Sequence, residues 1–384
     1  MKKQGSEVNI SELDELLETY IKNSEKLNYA IKIMGHPGVG KSAIVRQAAE
    51  RLNYYFIDTR LAFKENVDLG GYPVPDNDTR QMIYYRPRFI PPEKVPEGFQ
   101  GIVWFLDESN RAHPTVIQTL FQIITEGRCG EHSLPEKTAI ILAGNLGDMD
   151  ETTITDFDDS ALDGRLSILH LKPSASDWLS WAFRENIHPS VIKYISMFPE
   201  KLWDEKNINP NPRGWHQVSN ALLHSWGLPA EEELSRHLGN GSTTLRIMIN
   251  SLVGHVTGDD FISQVTAPRQ LTVSEILKGS EEKLEMLKNR QLQQEDILWA
   301  LNGTIAVLKD MAVRTSGIFT GEELVRLSNV LRFLAFTRGD IRMTYFLMLM
   351  KECGIFTVIP AAVKLIGDEE TRIEIKQRFD RVMM

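Results

Sequence analysis

Cysteine is scarce in this sequence of 384 residues, which contains only Cys129 and Cys353. Two distant cysteines without metal-ligand spacing exclude a disulfide framework and a cysteine zinc site, and they favour free thiols in a reducing compartment. Lys2 and Lys3 are followed by polar and acidic residues rather than by an apolar signal core. We therefore expect no export and a cytoplasmic location.

Long apolar runs and an excess of basic residues are also missing. The apolar C-terminal stretches 345–350 and 355–366 are separated by Lys351, Glu352 and Gly354, which leaves each too short to span a bilayer. We expect no membrane partner. The formal net charge of -9 argues against nucleic acid as the main partner, although a locally basic pore lining stays open.

Apolar runs alternate with helical patterns in the first half of the chain. Buried strands are predicted at 30–34, 54–58, 101–106 and 138–143, and helical patterns cover 10–27 and the residues after 41. This alternation predicts an α/β fold, a parallel sheet with helices on both faces. A segment rich in proline and glycine at about 66–96, with a strand-like run at 82–85, predicts an inserted hairpin.

Strand signals fade from about residue 177, and helical patterns predominate from there on. The length of the chain allows several domains. We therefore predict an α/β domain at 1–175 that carries the hairpin, a helical domain at 176–255 and a helical C-terminal extension at 256–384.

A glycine-rich loop follows the first predicted strand and opens a helix. It fits the pattern G-x-x-x-x-G-K-[ST], in which backbone N–H groups surround phosphate oxygens and the lysine reaches the terminal phosphates. Phosphate would lie at the helix N-terminus. The residues of this predicted P-loop are Gly35, His36, Pro37, Gly38, Val39, Gly40, Lys41 and Ser42.

Two later strands end in polar side chains that complete a site for ATP and Mg²⁺. Asp107 and Glu108 follow an apolar run, at the edge of a parallel sheet where ligands bind. We expect Ser42 and Asp107 to hold Mg²⁺ and Glu108 to orient and help deprotonate the attacking water. Asn145 ends the next run and would fix the water or the γ-phosphate.

The order of P-loop, acidic pair and strand-end asparagine resembles the AAA+ ATPases, and further motifs resemble their MoxR family, a member of the clade with an insert in helix 2. The stretch 107–112 with Pro114 resembles the motif D-E-x-N-R-A. Residues 67–73 resemble the D-L-x-G loop before the insert, and 126–128 with 134–135 resemble the hairpin before the asparagine strand. The likeness is specific from about 31 to 221.

This resemblance implies an oligomeric ATPase with its sites between subunits. Arg165, in the stretch 163–166, matches the arginine finger that reaches the ATP of the next subunit. Arg213, in the stretch 212–215, resembles the arginine that opens a helix of the lid domain and contacts the γ-phosphate of its own subunit's nucleotide. The family likeness further implies a ring of P-loop NTPase subunits, expected to be a hexamer, and a client protein that carries a von Willebrand factor A domain.

Two other functions stay open at this level. A nucleic-acid translocase related to McrB-type proteins would show turnover stimulated by DNA or RNA, and a nucleotide-gated scaffold would bind ATP with little hydrolysis. The hairpin residues Tyr84, Tyr85, Arg86, Arg88 and Phe89 could grip a polymer or could pack on their own domain. The P-loop pattern does not distinguish ATP from GTP.

Overall fold

The computed structural model of the chain describes residues 5–145, 164–349 and 353–380. These residues form two units by their internal contacts. The first comprises the described residues up to Asp177 together with Trp203–Arg213, and the second comprises Trp178–Leu202 and the described residues from Gly214 onward.

The first unit is built on a six-stranded sheet in which every pairing is parallel. Among the described residues, the strands of this unit, which include two hairpins, are β1 Ser6–Val8, β2 Ala30–Met34, β3 Tyr55–Arg60, β4 Tyr72–Asp76, β5 Gln81–Tyr85, β6 Ile102–Asp107, β7 Arg128–Cys129, β8 His132–Ser133, β9 Thr138–Gly144 and β10 Leu166–Leu171. The spatial order in the six-stranded sheet is β1, β10, β2, β9, β6 and β3.

Helices cover both faces of this sheet because its central strands are apolar on both sides. Successive residues of β6 point in opposite directions, so that Phe105 enters one core and Trp104 enters the other. Each such side chain stabilises the fold by about 1.5–3 kcal/mol when it is fully buried. The helices of this unit are α1 Ile10–Lys22, α2 Lys41–Arg51, α3 Asn66–Gly70 and α4 Pro114–Glu126, with a further helix beginning at Ala175.

Helices α1 and α2 pack on the face that contains Phe105, and α4 packs on the face that contains Trp104. The predicted α/β P-loop architecture, a parallel sheet with helices on both faces, is confirmed. The inserted hairpin is also present: β4 and β5 pair in antiparallel register, with Tyr72 opposite Tyr85 and Asp76 opposite Gln81.

The second unit is helical, and its described residues include no strand. Its helices, counted from the one that begins at Ala175, are α5 Ala175–Ala182, α6 Pro189–Met197, α7 Pro212–Asn220, α8 Glu231–Gly239, α9 Thr243–Val253, α10 His255–Thr266, α11 Val273–Lys278, α12 Glu281–Lys288, α13 Gln294–Arg314, α14 Gly321–Ala335, α15 Gly339–Met348, α16 Ile359–Lys364 and α17 Glu369–Asp380. The finer division into a lid at 176–255 and an extension at 256–384 stays a prediction. Within the described part of the chain, no helix is both long and apolar enough to cross a membrane.

Candidate nucleotide site

The predicted P-loop connects the carboxyl end of β2 to the first turn of α2. Gly38 and Gly40 have φ values of 81° and 99°, a left-handed conformation that residues with a side chain rarely adopt. A Cβ atom at position 38 would also lie 2.6 Å from Oδ1 of Asn211. The tight turn therefore requires glycine, and α2 begins directly after it at Lys41, so that a helix N-terminus faces the loop.

Lys41 lies inside this loop with 7% of its surface exposed. Its ammonium group donates hydrogen bonds to the carbonyl oxygens of Gly35 at 2.7 Å and His36 at 3.0 Å, and to Oδ1 of Asn145 at 2.9 Å. The structure thus brings together the P-loop lysine and the strand-end asparagine. These three acceptors are uncharged, so phosphate oxygens could replace them as stronger, charge-assisted partners.

Ser42 and Asp107 meet across the gap between α2 and β6. The Ser42 hydroxyl donates to Oδ2 of Asp107 at 3.3 Å, and the backbone N–H of Glu108 donates to Oδ1 of the same carboxylate at 2.8 Å. A hydroxyl and a carboxylate oxygen are the kind of ligands that Mg²⁺ prefers. The two residues predicted to hold Mg²⁺ therefore lie together and have the chemistry of its ligands.

Glu108 lies directly after β6 in a left-handed conformation, with φ 55° and ψ 36°. Non-glycine residues in this region carry a conformational cost, and such residues occur preferentially at functional sites. The turn ends β6 and begins the short 3-10 helix Ser109–Arg111. Glu108 is thereby held beside the Asp107 carboxylate at the sheet edge that carries the P-loop.

Asp58 belongs to the same edge and was not among the predicted site residues. Burial raises the pKa of its carboxyl group, and the charge of Asp107 raises it further, against the opposing effect of Arg60 and Arg46. The strand register explains this proximity, because Arg60 of β3 lies opposite Asp107 of β6. Asp58 gives only a weak signal in the sequence, because it lies within a predicted strand. Arg46 forms an ion pair with Asp58 at 3.8 Å, which offsets the charge of that carboxylate.

The segment Trp203–Arg213 folds back onto the P-loop, which the sequence reasoning did not anticipate. The backbone N–H of Arg213 donates to the Gly38 carbonyl at 3.2 Å. The rings of His36 and Trp203 lie 5.5 Å apart. Arg213 is therefore placed next to the phosphate loop through its backbone, and its side chain is exposed. The pattern P-R-x-W identified this arginine, but nothing in it indicated the segment before it.

Arg165 lies away from the P-loop of its own chain. The next residue, Leu166, pairs with Ala30 at the start of β2, whereas the P-loop follows Met34 at its end. Four residues of strand separate these positions by about 13 Å. The guanidinium of Arg165 lies over the Phe121 ring at 4.8 Å, and its carbonyl accepts from the Ala30 N–H. Asp163, which begins its motif, lies outside the described residues.

The inserted hairpin presents its tyrosines to solvent while its base is attached to the domain. All residues of β5 are exposed, and Tyr85 is 61% exposed. Arg86 donates to the Ser133 carbonyl at 3.1 Å and forms an ion pair with Glu93. Arg88 is exposed, and Lys64 lies over the Phe89 ring. The base of the hairpin therefore packs on its own domain, and a grip on a polymer by the exposed tyrosines stays a prediction.

Comparison with known proteins gives one family match. Residues 31–140, which run from β2 into β9, match the family model described as AAA domain (dynein-related subfamily). No curated protein matches the sequence of the chain. The matched range includes the P-loop, Asp107 and Glu108, and it ends before Asn145.

Two solved structures illustrate the backbone likeness. NtrX from Brucella abortus, in complex with ADP, aligns with 97% of this chain and 69% of its own at 15% identity and a TM-score of 0.35. A provisionally assigned ATPase from Cytophaga hutchinsonii ATCC 33406 aligns with 96% of this chain and 88% of its own at 12% identity and a TM-score of 0.31.

Proposed function

We propose that this chain, whose residues 31–140 match the AAA domain family model, is a Mg-dependent ATPase that works as a MoxR-type ring of six subunits and remodels or matures a client protein. The observation that carries the proposal is the hydrogen-bonded group of Lys41, Ser42, Asp107 and Asn145 at one edge of the parallel sheet. The ring and the client are supported by the motif resemblance.

In the proposed hydrolysis, residues that lie together in the structure have different roles. Lys41 leaves its carbonyl partners and neutralises the terminal phosphates, and the loop amides bind their oxygens. Ser42 and Asp107 would hold Mg²⁺, whose charge would offset that of the phosphate oxygens. Glu108 orients the attacking water and accepts its proton. Asn145 donates through its side-chain amide to the water or the γ-phosphate.

Arg165 is proposed to act on the nucleotide of the neighbouring subunit. Within its own chain it belongs to the amino end of β10, about 13 Å along the sheet from the P-loop edge. An arginine that offsets charge in the transition state must reach the phosphates, so Arg165 can serve only a nucleotide held by another subunit. Arg213 is proposed to contact the γ-phosphate in its own subunit, since its backbone adjoins Gly38.

The client contact is proposed at the hairpin of β4 and β5. Its exposed aromatic side chains lie on a strand with no charged residue, Gln81–Tyr85. Pro73 and Tyr84 also line a depression with Val67 and Gln122. Such an apolar, solvent-exposed ribbon suits a protein surface. The choice of a client with a von Willebrand factor A domain rests on the MoxR resemblance alone.

Mixing two inactive variants tests the shared site. Arg165→Ala retains an intact P-loop and lacks the arginine, whereas Lys41→Ala lacks the P-loop lysine and retains the arginine. We expect each alone to lose at least about 1000-fold in ATPase rate. An equimolar mixture assembled from separated subunits should recover up to about a quarter of the wild-type rate, because half of the P-loops and half of the neighbours are intact.

Arg51→Ala is the matched control, because Arg51 forms exposed ion pairs with Asp14 and Glu18 on the surface. Its rate should stay within about twofold of wild type. The wild-type rate per subunit should rise with protein concentration as rings assemble. A mixture no faster than the mean of its components, together with a rate per subunit independent of concentration, would refute the shared site.

A further inference from the structure

Beyond the end of the strand pairing, side chains continue the connection between β6 and β9. The register of these strands ends with Leu106 opposite Leu142, and Asn145 follows the last residue of β9. Past that point, the Ser109 hydroxyl donates to the Ala143 carbonyl at 2.8 Å. The Asn110 side chain then forms the hydrogen bonds that the backbone of a neighbouring strand would form in a longer ladder.

Asn110 holds the backbone of Asn145 on both sides. Its Nδ2 donates to the Asn145 carbonyl at 2.8 Å, and its Oδ1 accepts from the Asn145 N–H at 3.2 Å. A side-chain amide that both donates and accepts fixes the position and orientation of the peptide it contacts. Asn110 is 9% exposed, so water competes little for these bonds.

Gly144 leaves room for this contact. A Cβ atom at position 144 would lie 3.0 Å from Oδ1 of Asn110 and 2.8 Å from the Met34 sulfur. Any side chain at this position would therefore displace Asn110 or Met34. The absence of a side chain at 144 and the amide at 110 together place the Asn145 peptide in one position.

The position of Asn145 matters because its side chain accepts from Lys41 at 2.9 Å. We propose that Asn110 is a positioning residue for ATP hydrolysis, which fixes the Asn145 backbone so that the Asn145 amide reaches the γ-phosphate and the attacking water. This inference rests on the proposed role of Asn145. Asn110 itself points at the Asn145 peptide, so it acts through that residue and not on the nucleotide.

A double-mutant cycle on kcat tests the inference. Asn110→Ala should lower kcat about 10- to 100-fold, because a shift of about 1 Å in a catalytic group has effects of that size. KM and the affinity for a fluorescent ATP analogue should change less than about threefold, because Asn110 does not touch the phosphates. In an Asn145→Ala background, which keeps the peptide but removes the amide, Asn110→Ala should cause no further loss of kcat.

Thr138→Ala is the matched control, because it removes a hydrogen bond of 2.7 Å from a side chain to the Pro135 carbonyl at the other end of β9. It should leave kcat within about twofold of wild type. Should Asn110→Ala fail to fold, Asn110→Asp keeps the acceptor for the Asn145 N–H, loses the donor and should show an intermediate kcat.

Three outcomes distinguish this inference from the proposed function. A loss of kcat that persists undiminished in the Asn145→Ala background would overturn the inference, since Asn110 would then act through something other than Asn145. An unchanged kcat in Asn110→Ala, with a clear loss in Asn145→Ala, would overturn it while leaving the role of Asn145 intact. An unchanged kcat in Asn145→Ala would overturn both.

Discussion

Each of the two units buries a lysine, and the partners of the two lysines differ. Lys41 in the first unit is 7% exposed and donates to two backbone carbonyls and the Asn145 amide. Lys193 in the second unit is 2% exposed and forms an ion pair with Glu231, which also accepts a hydrogen bond from the Trp299 indole. Three uncharged oxygens accept hydrogen bonds from Lys41, whereas a carboxylate pairs with Lys193.

This difference separates a binding site from a structural contact. Neutral acceptors hold the Lys41 ammonium in place and can be exchanged for phosphate oxygens at little cost. A carboxylate partner would compete with the anionic ligand, as Glu231 would at Lys193. The position of Lys193 is also enclosed, because a Cβ atom at Gly303 would lie 2.3 Å from its Cε. We interpret Lys193 as part of the framework of the helical unit.

The largest effect that would test this comparison is on stability. Lys193→Met should lower the free energy of unfolding by about 3 kcal/mol, because it leaves the Glu231 carboxylate without its cation in a largely buried place. The affinity for Mg-ATP should stay unchanged. Urea unfolding followed by circular dichroism, together with nucleotide titration, measures both quantities.

The same substitution at an exposed pair provides the control. Lys22 pairs with Glu18 on the surface of α1, and Lys22→Met should change stability by less than about 0.5 kcal/mol. The double variant Lys193→Met with Glu231→Gln should recover part of the loss, because it also removes the unpaired charge. Equal effects at positions 22 and 193 would contradict the structural role of Lys193.

A smaller effect should appear in the same unit as the pH falls. Burial lowers the pKa of His188 from 6.5 to about 4, and its imidazole bonds to the Leu228 carbonyl and the Ser190 N–H. The folded state binds the proton on His188 less readily than the unfolded state does. The stabilisation that the neutral imidazole provides is therefore complete above pH 6.5 and is lost between pH 6.5 and about 4. At pH 5 the loss should be about 2 kcal/mol.

His188→Asn isolates this contribution, since asparagine can also cap a helix and does not titrate. We expect the difference in unfolding free energy between pH 7 and pH 5 to be smaller in His188→Asn than in wild type by about 2 kcal/mol. Identical pH dependence in the two proteins would show that His188 contributes nothing.

Individual strands could be predicted where the local sequence has a strong apolar pattern. The strand Ile102–Asp107 is an apolar run that ends in a charge, and the predicted range of 101–106 differs from it by one residue at each end. The strands Ser6–Val8 and Leu166–Leu171 were not predicted. The first has three residues, and the second mixes serine and histidine with leucine, so neither shows a periodic pattern. Their place in the sheet comes from tertiary pairing.

Contacts between distant residues were less accessible to prediction. The motifs identified Lys41 and Asn145 separately, but their hydrogen bond joins residues that are 104 positions apart. It depends on β9 lying beside β2, which no local pattern specifies. Asp58 and the return of Trp203–Arg213 onto the P-loop likewise follow from register and chain path. Sequence identified the phosphate loop, and the assembled sheet edge required the structure.

Lys41 is positioned to bind a triphosphate, and calorimetry of Mg-ATP binding to wild type and to Lys41→Met tests this role. We expect a loss of about 3 kcal/mol, roughly 100-fold in Kd, in Lys41→Met. The same variant should unfold at nearly the wild-type temperature. Unchanged affinity in Lys41→Met would show that Lys41 does not bind the triphosphate.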